Sequence, residues 1–330
     1  MLEHGAPRRG RALVAGADEP DRHRVVHQCL RLVDDGGRQL FEAKRSGEFP
    51  ELNGQRLFHG WSIIRRMQPR EEMISVGDTR VHAWVGGQGD PLLVLHGAGG
   101  NRGWTRWLTQ VSERFTVWAP THPGFAGSDD ADWMDGIDDL ARFYLWFIEA
   151  AKLGRPHLLG HSIGGWTAAE MATMSPGAID RLVLVAPVGL KPETGEILDI
   201  FYFSPAQLLT MMVYDSKTVP EWPTLFGRPP TPAEIEAATR NREMAARLTW
   251  KPYMHNPRLA NFLPRVTNPT LIVWGREDRA VPVECGEQYR RSLPNATLTV
   301  LERCGHMPPI EQPDTFARLV LDFLRGDSRR

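Results

Sequence analysis

The chain has 330 residues, with 39 Lys plus Arg against 40 Asp plus Glu, 42% hydrophobic and 24% charged residues. That composition excludes whole-chain disorder, collagen and coiled coil, and the length allows two ordinary domains or one large α/β domain with an insertion. A formal charge of −1 supplies no field to draw in polyanions, so neither nucleic acid nor an anionic membrane is an expected partner. Cys29, Cys285 and Cys304 are too few and too scattered for a disulfide framework, which suits a reducing compartment. The first thirty residues hold only short apolar pieces broken by Arg and Asp, and no stretch approaches the roughly 18 apolar residues of a membrane span, so a cytoplasmic location is expected.

Along the chain, residues 1–72 show little sustained periodicity beyond one candidate helix over 25–41, and read as an N-terminal extension that is poorly structured or partly helical. Eight Val-, Leu- and Ile-rich runs follow, at 73–76, 81–85, 92–95, 115–119, 157–159, 182–185, 271–274 and 298–301. The first two have hairpin spacing; the later ones are separated by helix-length segments, which predicts a mostly parallel sheet with right-handed crossovers. Residues 137–153 form the clearest helix, with Ile137, Leu140, Tyr144, Phe147, Ile148 and Ala151 on one face. Between 187 and 256 the strand rhythm stops. There Ser204-Pro205-Ala206-Gln207 and Thr231-Pro232-Ala233-Glu234 each read as a capping box with Pro at the first helical position, the second helix running to about Trp250. The expected organisation is an α/β core over 73–187 and 257–330, with a helical cap over 188–256.

The strongest chemical signal is Gly160-His161-Ser162-Ile163-Gly164-Gly165, a G-x-S-x-G motif between an apolar run and a plausible helix. A nucleophile on such a turn needs small neighbours because its backbone is strained and crowded, and Gly160 and Gly164 meet that need. Serine also needs a positioned base and an orienting carboxylate. Asp278 follows the run 271–274 and His306 follows 298–301, which makes Ser162, Asp278 and His306 the catalytic candidates in the order Ser, acid, His. The turn His96-Gly97-Ala98-Gly99-Gly100 after 92–95 can offer backbone amides, so Ala98 and Ile163 are the expected oxyanion donors, with Gly99 a near alternative. Arg102 stands where a dinucleotide loop needs its third glycine, and no metal-ligand motif or phosphate loop occurs, so no cofactor is expected.

Together these motifs, over residues 73–330, resemble the α/β-hydrolase superfamily in the branch with a helical cap after strand six. Supporting pieces are His122-Pro123-Gly124-Phe125-Ala126-Gly127-Ser128 after the fourth core strand, where this chain has His122 before the Pro-Gly and many members have Asp, and Gly305-His306 with Glu311, Pro313 and Phe316 downstream. The resemblance implies an eight-stranded, mostly parallel sheet flanked by helices, with nucleophile, acid and base at Ser162, Asp278 and His306.

A serine at the elbow excludes the alkyl-enzyme chemistry of Asp-nucleophile members. The elbow resembles small bacterial carboxylesterases, so the first reading is hydrolysis of a small to medium carboxylic ester through an acyl-enzyme. The alternatives are a hydrolase of the C–C bond of a vinylogous diketone, which residues 208–215 with Arg240 and Arg242 resemble, and a non-catalytic hydrolase-fold ligand receptor. Acyl transfer differs only in the acceptor. Gly99, Trp166 and Met212 are the expected substrate contacts, beside cap aromatics such as Phe201, Tyr202 and Phe226 that suit an apolar pocket. The expected partner is a small acyl substrate, and a homodimer is compatible with everything above.

Overall fold

A computed structural model describes residues 69–326 and, before them, the strand pairs Arg31–Val33 with Gln39–Glu42 and Glu51–Leu52 with Gln55–Arg56. The chain divides into two compact units, Met1–Arg65 and Arg66–Arg330. The helix expected over 25–41 falls largely outside the described residues, and the described part is instead the first of those antiparallel strand pairs.

The second unit is built on eight strands: β1 (Arg70–Val76), β2 (Thr79–Gly87), β3 (Pro91–Leu95), β4 (Thr116–Pro120), β5 (His157–His161), β6 (Leu182–Val185), β7 (Thr270–Gly275) and β8 (Ala296–Leu301). Their spatial order is β8-β7-β6-β5-β3-β4-β2-β1. All neighbours run parallel except β1 with β2 and β2 with β4. This is the α/β-hydrolase fold, and each of the eight apolar runs forms a strand. β1 starts three residues before its run because Arg70, Glu71 and Glu72 pair with Val85, Trp84 and Ala83. Those side chains lie on an edge strand facing water, where no apolar alternation marks the strand's start.

The two-residue period of the central strands divides the core between two faces. Leu93, Leu95, Leu158, Leu184, Ile272 and Trp274 pack with helices α2 (Ile137–Ala150) and α3 (Ile163–Met174). Leu92, Val94, Leu159, Val183, Val185 and Val273 pack on the other face against Trp107 of α1 (Arg106–Val111) and Phe316 and Val320 of the C-terminal helix Pro313–Leu324. Helix α2 stops three residues earlier than its apolar pattern. Lys152 takes a left-handed conformation (φ +55°), its amide donates to the Glu149 carbonyl and that of Leu153 to the Ile148 carbonyl. This is a Schellman stop with Lys in the usual glycine position, and buried Leu153 is its hydrophobic contact.

Between β6 and β7 the chain makes a helical insertion with α4 (Pro205–Met212), α5 (Trp222–Phe226) and α6 (Pro232–Thr249). Both capping boxes form: the Ser204 and Thr231 side chains accept from the amides of Gln207 and Glu234, whose side chains accept in return. No helix among the described residues is long and apolar enough to cross a membrane.

Candidate active site

Ser162 sits between β5 and α3 with φ +55° and ψ −118°, a conformation that costs a non-glycine residue about 1–3 kcal/mol. The surroundings enforce it. The Ser162 amide donates to the Val185 carbonyl of β6 (2.9 Å), and the Ser162 carbonyl accepts from the Trp166 amide (3.0 Å). A Cβ at position 160 would stand 2.1 Å from the Gly164 carbonyl oxygen, and one at 164 would stand 2.4 Å from the Leu95 carbonyl oxygen. The turn can therefore close only with glycine on both sides of the serine.

Asp278 follows β7 with its side chain fully buried. One carboxylate oxygen accepts from the amides of Ala280 (2.8 Å) and Val281 (2.9 Å), which leaves the other to meet His306 Nδ1 at 2.8 Å. A hydrogen on Nδ1 directed at the carboxylate leaves Nε2 as the ring nitrogen turned to other work. His306 is 3% exposed, and its backbone is held from two sides: its amide donates to the Met212 carbonyl (2.7 Å), and its carbonyl accepts from His161 Nε2 (2.8 Å). The His161 and His306 ring centroids are 5.1 Å apart, so the elbow and the base loop meet directly. Burial, followed by the neighbouring His306, lowers His161 to about 3 and keeps it neutral.

Glu311 ties the base loop together. Its carboxylate accepts from the amides of Gly305 (2.9 Å), Met307 (3.0 Å) and Tyr214 (2.7 Å), so one buried side chain joins the loop to the helical insertion. Burial raises its carboxyl above the ordinary range while those backbone donors pull it back. Cys304, two residues before His306, is buried and its thiol is pushed up by that burial, so it is a packing residue and no thiolate.

The turn that carries Ala98 lies beside the serine turn that Ile163 follows. Ile163 is the first residue of α3, so its amide has no intrahelical acceptor. The Gly97–Gly100 turn is closed by the Gly100 amide on the Gly97 carbonyl (3.1 Å), and a Cβ on Gly97 would stand 3.1 Å from the Cβ of Ser162. The expected substrate contacts each have a partner within the protein. The Gly99 carbonyl accepts from Asn241 Nδ2 of α6 (3.3 Å), whose Oδ1 accepts from the Ala126 amide (2.8 Å). Met212 meets His306 through its backbone. Trp166 is buried, donates to Glu170 (3.0 Å) and packs on Gly189. Of the apolar pocket candidates, Tyr202 is 81% exposed. Sequence reading assigned no part to Asn241, and His161 and Glu311 entered it only as motif positions.

The alpha/beta hydrolase family profile matches residues 92–319. A 2-hydroxy-6-oxononadienedioate/2-hydroxy-6-oxononatrienedioate hydrolase of Burkholderia vietnamiensis is 31% identical over 278 residues, covering 75% of this chain and 92% of that relative. A 2-hydroxy-6-oxo-6-phenylhexa-2,4-dienoate hydrolase of Burkholderia cepacia is 31% identical over 266 residues, covering 74% of this chain and 91% of the relative. Among solved structures, a bacterial membrane phospholipase A has a TM-score of 0.66 at 25% identity, over 80% of this chain and 88% of its own. The motif order, the strand order and these matches agree, and the chain belongs to the alpha/beta hydrolase family.

Proposed function

We propose that the chain is a serine hydrolase in which Ser162 is the nucleophile, His306 the base and Asp278 the orienting acid, and that its substrate is a carbonyl compound cleaved at a C–C bond. The observation that carries the catalytic assignment is the 2.8 Å contact of His306 Nδ1 with a fully buried Asp278 carboxylate, beside a serine held at φ +55°. His306 Nε2 takes the Ser162 proton as the oxygen attacks the ketone carbon, and Asp278 stabilises the imidazolium. The Ala98 and Ile163 amides hold the oxyanion, each such donor contributing about 2.7–4 kcal/mol. The tetrahedral centre then collapses with loss of the C–C bond, and the imidazolium returns its proton to the departing carbon. Water, deprotonated by His306, releases the acyl group from Ser162.

A carbon leaving group is tolerable only when its electron pair spreads into a conjugated carbonyl as an enolate. The 6-oxo-dienoates in the names of the relatives provide that conjugation, which favours C–C cleavage over the ester reading for this chain. Ester hydrolysis stays as the second reading. It is favoured by His161 before the serine, as in the carboxylesterase-like elbow, and by the likeness to a phospholipase. In either case residues 188–256 would act as a cap over the serine, since Asn241, Met212 and Tyr214 already contact the oxyanion turn and the base loop.

The deciding experiment compares turnover of 2-hydroxy-6-oxo-6-phenylhexa-2,4-dienoate with that of 4-nitrophenyl butyrate. A larger kcat/KM on the dienoate, abolished by Ser162→Ala, is the expected result; a preference for the butyrate ester transfers the assignment to the second reading.

A further inference from the structure

Beneath the oxyanion turn lies a buried polar chain that the mechanism above does not use. His122, in the loop after β4, is fully buried, and its ring stacks on that of His96 with centroids 3.7 Å apart. The His122 amide donates to His96 Nε2 (2.9 Å), and His122 Nε2 reaches the His96 carbonyl (2.9 Å). His96 Nδ1 in turn reaches the Gly97 carbonyl (2.8 Å), while His122 Nδ1 meets the hydroxyl of Tyr144 on α2 (2.6 Å).

The partners assign every proton. Carbonyl oxygens only accept, so His96 Nδ1 and His122 Nε2 carry hydrogen. His96 Nε2, which receives an amide N–H, must be bare; the buried His122 ring is neutral with its hydrogen on Nε2, which leaves Nδ1 to accept the Tyr144 O–H. Both rings are neutral donors and acceptors at once. Burial agrees, lowering His96 to about 4 and His122 well below its ordinary range.

The consequence falls on one peptide plane. The Gly97 carbonyl is held by His96 Nδ1–H and by the Gly100 amide, so its direction is set from two sides. In a trans peptide the N–H of the next residue points the opposite way. The Ala98 amide is therefore turned away from the histidine pair, and Gly97 itself lies against the Cβ of Ser162. We propose that His122, supported by Tyr144, is a positioning residue of the oxyanion site, acting through His96 to hold the Gly97–Ala98 peptide so that the Ala98 amide faces the carbonyl carried by Ser162. This rests on the serine-hydrolase reading and adds a residue to it, since His122 touches no reacting atom.

The test uses the full chain and two variants. His122→Phe keeps the stacked ring and removes both ring nitrogens; Tyr144→Phe removes a single hydroxyl and disturbs packing least. For each, kcat and KM are measured on the better of the two substrates named above, together with the inhibition constant of an alkyl trifluoromethyl ketone, which adds to a serine oxygen as a hemiketal anion, and the melting temperature. Loss of one oxyanion donor costs about 10²–10³ in kcat, so His122→Phe should lower kcat by about 10²-fold. KM should stay within about twofold, and the ketone's inhibition constant should rise in step with the loss in kcat. Tyr144→Phe should move the same quantities in the same direction by less. A fall in melting temperature with kcat and ketone binding unchanged would overturn the proposal and leave a merely structural network. If His122→Phe does not fold, Tyr144→Phe decides on the same readouts. If the unmodified chain neither binds the ketone nor loses turnover on Ser162→Ala, the serine-hydrolase reading itself falls and takes this proposal with it.

Discussion

The ring of His161 donates from Nε2 to the backbone carbonyl of His306 at 2.8 Å, so the residue preceding the candidate nucleophile holds the backbone of its candidate base. Removing that bond leaves a buried carbonyl unsatisfied and frees the base loop to shift. A misplacement of about 1 Å at a reacting group can cost about 10²-fold. His161→Ala should accordingly lower kcat/KM by roughly 10- to 10²-fold with Ser162 intact, as steady-state kinetics would show, and His161→Asn, which keeps a donor, should lose less.

Backbone strain at Ser162 makes a second expectation. Glycine adopts φ +55°, ψ −118° freely, so Ser162→Gly relieves strain of about 1–3 kcal/mol, offset in part by the greater freedom of glycine in the unfolded chain. The variant should be more stable than its parent by about 1 kcal/mol in urea unfolding, while turnover falls by about 10⁶. Ser162→Ala should be equally inactive without the gain in stability.

Acid should destabilise the protein through its buried imidazoles. His96 and His161 are lowered by burial to about 4 and about 3, against about 6.5 in an unfolded chain. Between those limits the unfolded chain binds more protons, so stability is complete above about pH 6.5, falls as pH drops, and levels off below about pH 3. At about 1.4 kcal/mol per pKa unit the two rings together represent several kcal/mol. Glu311 works the other way, because burial raises its carboxyl and favours the folded state in acid. Urea midpoints at pH 7 and pH 4.5 would check the sign, and His161→Asn should flatten the difference.

Much of this was legible in the sequence because its causes are local. Gly160 and Gly164 announce the elbow since no other residue fits against the Gly164 and Leu95 carbonyls, and Ser204 and Thr231 announce their helices through bonds to residues three positions on. The start of β1 at Arg70 was not legible, because an exposed edge strand needs no apolar alternation. Nor was the end of α2, where a lysine takes the left-handed position usually left to glycine. The supports of the site were least visible. His161 meets the His306 carbonyl across 145 residues, Asn241 meets Gly99 across 142 and Glu311 meets Tyr214 across 97, and such pairings leave no periodicity.

The leading segment supplies none of the candidate catalytic groups, and β1 begins at Arg70 within the compact unit Arg66–Arg330. A chain beginning at Met67 keeps every candidate catalytic group and the whole of β1, and should stay soluble with its kcat/KM within about twofold. Gel filtration and steady-state kinetics on the shortened chain check this.

A Ser162 nucleophile activated by His306 can be captured covalently. After treatment with a fluorophosphonate, intact-mass and peptide mass spectrometry should find one adduct, on Ser162, whose rate of formation falls by several orders of magnitude in His306→Gln. An adduct on another residue, or one on Ser162 forming at the same rate without the histidine, would contradict it.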